Sequence, residues 1–269
     1  MASPAVVTAA PGAPITVARP VRADVPGVAH PGAAHADVAP SADTPRPRPA
    51  WPGHSVLAAH AAFFDANGDG CITPAETWRG FYKIGFNSFL SFVAALVIHA
   101  SFSWPTTQPW WHVLDPRVSL AWIHRGVHGS DSRSFDTEGR FVPQRFDDAF
   151  SKYASAKTGA GAPAMTWADV RAMVAGNACA RDVFGRAANF LEWSGLFFVA
   201  AQRATPDGDS GPHVLTRERA RQAMDGSLWP ALEREAAARR AAVATRRGAA
   251  WWAPWARGWG GRAGAAHAE

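Results

Sequence analysis

Between Lys83 and Asp115 the chain carries no formally charged residue, histidine taken as neutral, and positions 85–104 of that gap are dense in Phe, Leu, Val, Ile and Ala. These 20 residues, drawn out as a helix, reach about 30 Å, the thickness of a bilayer's hydrocarbon core. Asn87, Ser88, Ser91, His99, Ser101 and Ser103 interrupt the run, and Pro105 and Pro109 close it beside Trp104, Trp110 and Trp111. Proline breaks a helix and Trp prefers the membrane–water interface. The pattern predicts an apolar helical segment over 85–111 that enters an apolar phase and turns back rather than crossing it. The competing reading is a buried helix of a soluble core.

Elsewhere the spacing of apolar positions is helical, over 54–64, 74–85, 145–156, 167–176, 184–202 and 217–224, with Gly- and Asp-rich connectors between. No sustained two-residue alternation suggests a large sheet. The expected class is mostly α.

One connector is chemically specific. Residues 65–76 read Asp-Ala-Asn-Gly-Asp-Gly-Cys-Ile-Thr-Pro-Ala-Glu, which meets the demands of a calcium-binding EF-hand loop in order. Calcium is a hard cation that takes oxygen ligands. Asp65, Asn67 and Asp69 supply side-chain oxygens, Cys71 only its carbonyl, Thr73 a bridging water, and Glu76 both carboxylate oxygens. Gly70 permits the sharp turn. A degenerate second hand is expected from Asp207, Asp209 and Glu218, with Val214 pairing with Ile72 across a short strand contact. It lacks one ligand and the turn glycine, and a random acidic loop is the alternative.

Composition changes the picture mainly at the two ends. The first fifty residues are rich in Ala, Pro and Val and contain no Trp, Phe or Tyr, too little apolar surface to offset chain entropy, so 1–53 should be disordered. No secretory signal pattern is visible there, and two cysteines, Cys71 and Cys179, suit a reduced, intracellular chain. The net charge of +5 gathers in the tail 230–269. There an Ala-rich basic helix over 232–247 carries Arg234, Arg239, Arg240, Arg246 and Arg247, ahead of Trp251, Trp252, Trp255 and Trp259. Arg with Trp suits an anionic membrane surface. No recognised nucleic-acid fold accompanies the tail, so no nucleic-acid partner is expected; a disordered tail with no partner is the plain alternative.

The order of these elements closely resembles the caleosins, lipid-droplet and endoplasmic-reticulum proteins known as calcium-dependent haem peroxygenases. The matching stretches are Ala59-His60-Ala61-Ala62-Phe63-Phe64-Asp65, Gly80-Phe81 through Gly85-Phe86-Asn87, His128-Gly-Ser-Asp-Ser, and Asp136-Thr-Glu-Gly-Arg-Phe. Phe150-Ser151-Lys152-Tyr153, Leu191-Glu192-Trp193 and Asp225-Gly226-Ser227-Leu228 continue the series. They mark out a domain over 54–229, with the loop at 65–76, the apolar segment at 85–111 and the motif-bearing helical region at 120–229. One departure concerns targeting: a proline-rich knot is reduced here to Pro105 and Pro109.

The resemblance implies haem b and Ca2+ as cofactors, with His60 and His128 holding or serving the haem and acting as the catalytic pair. Which does which stays open. His124, four residues before His128 and on the same face if that stretch is helical, competes as a haem residue. The implied reaction is oxygen transfer from a fatty-acid hydroperoxide to an unsaturated acyl chain, giving an epoxide, at a lipid monolayer or an endoplasmic-reticulum membrane. The main rival is a calcium-responsive lipid-droplet coat or tether without turnover. A soluble calcium sensor fits less well, because one intact hand and four Met residues offer little for a peptide groove.

Overall fold

The computed structural model describes residues 55–107, 114–204 and 211–256; the segment 1–53 and the end of the tail lie outside them. Ser55 caps α1 (Val56–Ala62), its hydroxyl accepting from the Ala58 amide. The loop then leads to β1 (Cys71–Ile72) and to α2 (Pro74–Ile84). Thr73 and Glu76 open α2 as a reciprocal capping box with proline in the first turn, and Gly85 ends it at φ 123°. Asn87 caps α3 (Ser88–Thr106). The chain returns through β2 (Val118–Ser119) into a 3-10 helix, Leu120–Gly126.

The second half runs α4 (Pro143–Tyr153), β3 (Ala156–Lys157), β4 (Pro163–Met165), α5 (Trp167–Gly176), α6 (Val183–Ala200), β5 (Gln202–Arg203), β6 (His213–Thr216), α7 (Arg217–Met224) and α8 (Trp229–Ala256). The chain is mostly helical, as expected.

A regularity emerges that periodicity alone does not reveal. Four times an apolar residue of a short strand is followed by a hydroxyl residue that opens the next helix: Ile72–Thr73, Val118–Ser119, Met165–Thr166 and Leu215–Thr216. Thr73, Thr166 and Thr216 accept from the amide three residues on. Ile72 lies opposite Val118 and Met165 opposite Leu215, both antiparallel. The fold is thus two pairs of helix–strand–helix units. β3 and β5 widen the second pair to the sheet order β3-β4-β6-β5.

This corrects the expected partner of Ile72. Val214 lies opposite Gln202 in the other sheet, and the residue that occupies Ile72's place in its own unit is Leu215, one position later. Glu218 is engaged with Arg221 on α7, while Asp207 and Asp209 lie outside the described residues.

α3 inverts the usual pattern of a core helix. Its inward stripe is small or polar, Ser91, Ala95, His99 and Thr106, whereas Phe89, Phe92, Leu96 and Trp104 stand exposed. A core helix buries its large apolar side chains, so the buried-helix reading does not describe α3. It is long and apolar enough to cross a membrane. His99 pins it to the body: Nε2 meets Thr77 Oγ1 at 2.7 Å and Nδ1 meets the Pro116 carbonyl. At the other end of the chain, Trp229, Leu232 and Ala236 of α8 are buried in the core, so a boundary at residue 230 falls inside a packed helix.

Candidate functional site

The loop 65–76 is wound around its own carboxylates. Asp65 accepts from the amides of Gly68, Asp69 and Gly70, and Asp69 from Cys71. Gly68 and Gly70 adopt φ of 72° and 82°, left-handed values that only glycine takes cheaply. Glu76 folds back to accept from Ala66 and Thr73. Burial works to raise the Glu76 pKa, but hydrogen bonds from Thr73 and from the Asn67 and Ala66 amides outweigh it and hold the carboxyl ionised below the usual range. Among the described residues no group of three or more His, Cys, Asp or Glu side chains is gathered as a metal site. The loop's acidic oxygens are turned onto backbone amides instead.

His60 sits in the last turn of α1, half-buried, five residues before the loop. Its Nδ1 meets the Ala223 carbonyl at 2.6 Å, and its own carbonyl accepts from Trp229 Nε1 at 2.8 Å. Since a carbonyl only accepts, Nδ1 carries the proton and Nε2 keeps a free lone pair. Gly226 makes this close docking possible: at φ 78°, a Cβ there would come within 2.5 Å of the Ala59 carbonyl oxygen. Burial lowers the His60 pKa from 6.5 against smaller opposing effects of Ala223, Glu192 and Asp225. The imidazole is therefore neutral at ordinary pH.

His128 is placed by the motif it opens. Ser130, fully buried, donates its amide to Asp182 and accepts from the Cys179 amide through its hydroxyl, while Cys179 Sγ lies 3.0 Å from the Gly129 carbonyl. The motif is thereby stapled to the turn that starts α6. His128 then reaches α6 itself, edge-on to Phe184 and with Nε2 3.6 Å from Glu192 Oε2. Its side chain is 9% exposed, and Nδ1 is buried with no partner among the described residues. Burial works to lower its pKa, yet the contact with Glu192 and the charges of Glu192, Asp131 and Asp182 together raise it from 6.5.

Glu192 contacts His128 directly, whereas on His60 its charge is a minor influence behind burial and the Ala223 carbonyl. His124 is placed differently. The 3-10 helix ends at Gly126 and Val127 is extended, so His124 and His128 share no helical face, contrary to expectation. His124 lies instead near Trp122, Arg125, Glu138 and Asp136. The histidine-centred reading missed Glu192 as a site residue. Its signal was available: it is the sole acidic residue between Asp182 and Asp207, within an aromatic-rich helix. Asn189, one turn earlier on α6, is fully buried with neither amide atom partnered among the described residues.

Residues 53–233 match the family described as caleosin related protein. This chain belongs to the caleosin family. It is 36% identical over 242 residues to a protein named peroxygenase from Lilium longiflorum, covering 88% of this chain and 95% of that relative. It is 32% identical over 181 residues to probable peroxygenase 4 of Arabidopsis thaliana, covering 67% and 87% respectively. A probable inactive peroxygenase-like protein of the same plant is 27% identical over 159 residues, covering 58% of this chain and 69% of its own length. No solved structure matches this caleosin.

Proposed function

We propose that this caleosin is a calcium-binding haem peroxygenase acting on lipid hydroperoxides and unsaturated acyl chains at a lipid-droplet or endoplasmic-reticulum surface. The observation that carries the reading is the contrast between two histidine rings, one docked on a carbonyl and one left with an unpartnered buried nitrogen. The residues fit a haem: His60 offers a free Nε2 while donating Nδ1–H to a carbonyl, the arrangement that ligating histidines use to fix tautomer and orientation. His128 holds a buried ring nitrogen still lacking a partner, and native proteins seldom leave such atoms unpaired.

His60 would accordingly hold the haem and His128 would move the proton, an assignment that spacing alone leaves open. When bound, the haem supplies the redox chemistry of oxygen transfer. His128 takes the O–H proton of the hydroperoxide and returns it to the oxygen bonded to carbon, so the donor leaves as a neutral alcohol. Near neutral pH an imidazole can both give and take protons, and the Glu192 carboxylate beside it favours the protonated form. The alkene gains the oxygen that the hydroperoxide loses, and no nicotinamide or flavin is required. The exposed apolar side of α3 supports lipid approach. The oxygens of Asp65, Asn67, Asp69, Thr73 and Glu76 and the Cys71 carbonyl suit calcium, which would order the loop five residues beyond His60.

Purified protein should show a Soret band and form an epoxide from oleate with a hydroperoxide donor. His60→Ala should lose the band. His128→Ala should keep it and lose about 100-fold or more in oxygen transfer. His124→Ala should change neither. Haem loss at His128 with retention at His60 would exchange the two roles, and haem loss at His124 alone would reassign the ligand. Lipid binding with no haem uptake at all would favour the rival, a coat or tether.

A further inference from the structure

Three buried or half-buried histidines use their rings differently. His99 satisfies both nitrogens, on Thr77 and Pro116, as a structural histidine does. His60 satisfies one, on Ala223. His128 meets a single carboxylate and leaves its other nitrogen unpartnered among the described residues, so its ring is not held by a closed set of structural hydrogen bonds.

Three carboxylates face His128. Two are committed elsewhere: Asp182 accepts from the Ser130 and Gly185 amides, and Asp131 from the Ser132 amide. Glu192 is different. Its one ion pair among the described residues is with His128, its side chain is 49% exposed, and it projects from a helix whose neighbouring Phe184, Leu191 and Phe198 are also exposed. A carboxylate in that company gains little for folding, because half-exposed ion pairs contribute at most about 1 kcal/mol.

We propose that Glu192 is a positioning residue for oxygen transfer, aiming the nearly buried His128 ring and linking it to solvent as a proton relay. This rests on the peroxygenase reading. The proton that His128 takes from the hydroperoxide is returned to the alcohol within the turnover, so the relay is neutral overall. Glu192 acts before that cycle: when His128 has been protonated from water, the carboxylate passes that proton back to solvent and leaves the imidazole able to accept the hydroperoxide proton. Because Glu192 reaches the iron through no bond of its own, it is dispensable for haem uptake.

Glu192→Gln keeps shape and removes charge. Haem content and the Soret maximum should match wild type, KM should stay within about twofold, and kcat should fall on the order of tenfold. In protein prepared without haem, the His128 ring-proton NMR titration should move to lower pH in Glu192→Gln and return towards wild type in Glu192→Asp. A kcat equal to wild type, or a His128 titration unmoved by Glu192→Gln, would overturn the proposal. A wild-type protein that takes up no haem would instead defeat the peroxygenase reading. The NMR titration distinguishes these failures, since it needs no haem.

Discussion

In the first pair of units Ile72 faces Val118, and in the second Met165 faces Leu215, yet the two pairs put the same frame to different uses. Counting from the paired residue, the first loop places Asp65, Asn67, Asp69 and Glu76 as oxygen donors. The corresponding positions of the third unit hold Thr158, Ala160, Ala162 and Asp169. Asp169 is already engaged by Ser155 and Thr166. In the fourth unit the place of Glu76 is taken by Arg219, paired with Glu235 of α8. Strand pairing and hydroxyl caps hold the frame in both pairs. The run of oxygen donors at 65–76 belongs to one unit of four, the one whose α1 carries His60.

The exposed apolar side of α3 offers the largest effect. Val93→Asp with Leu96→Asp puts two charges on the exposed apolar side of α3, each costing roughly 2.5 to 3.5 kcal/mol in hydrocarbon. Flotation with lipid vesicles should be abolished, with calcium binding unchanged. Undiminished flotation would mean that α3 is not the lipid-facing element.

Next comes the second pair's buried charge cluster. Arg221 and Asp225 have side chains only 1% and 2% exposed and pair at 3.0 Å. Arg221→Leu would leave the Asp225 carboxylate buried without its partner, a loss of about 3 to 5 kcal/mol. Thermal unfolding should show a large drop in Tm. Since Asp225 precedes Gly226 and the Ala59 contact, haem uptake should weaken too, whereas a drop in Tm with full haem affinity would uncouple α7 from His60.

Glu76→Gln should weaken calcium binding about tenfold, near 1.4 kcal/mol, read by calorimetry. Asp169→Asn, at the equivalent place in the third unit, should leave calcium stoichiometry at one and cost about 1 kcal/mol as a lost cap. A change in stoichiometry there would break the comparison between the pairs.

The smallest effect separates the two histidines by pH in haem-free protein. His60 has a lowered pKa, so its contribution to stability is present above its unfolded value of about 6.5 and is lost as pH falls. His128 has a raised pKa, so its contribution is present below about 6.5 and is lost as pH rises through the folded value. Denaturant unfolding at pH 5.5 and 8 should therefore show opposite changes in pH dependence for His60→Gln and His128→Gln. Parallel changes would contradict the tautomer and charge assigned to the two rings.

Much of the local architecture was legible in the chain. The helices over 74–85, 167–176 and 217–224 match α2, α5 and α7 closely, because Thr73, Thr166 and Thr216 with their partners three residues on are strong local start signals. The fourfold strand-and-cap frame was not legible. Its strands are two to four residues long, too short to show a period, and three of the four loops no longer carry the donors that would reveal the frame. The offset between Val214 and Leu215 has the same origin: acidic residues suggested one register, whereas pairing with Met165 selects the next.

By itself the sequence determined the capped helices, the charge-free apolar stretch, the donor order of loop 65–76 and the family motifs, all of which depend on residues adjacent in the chain. Only tertiary structure decided that α3 turns its large apolar side chains outward, that His124 and His128 part company, and that Glu192 lies against His128. The first depends on how α3 packs against α2 and the 3-10 helix, the second on where that 3-10 helix ends, and the third on the docking of the His128 loop against α6. Residues separated by 64 positions along the chain, His128 and Glu192, become neighbours only because Ser130 and Asp182 fasten a loop to a helix start. A contact of that kind costs chain entropy that local spacing does not encode, and it is returned by packing alone.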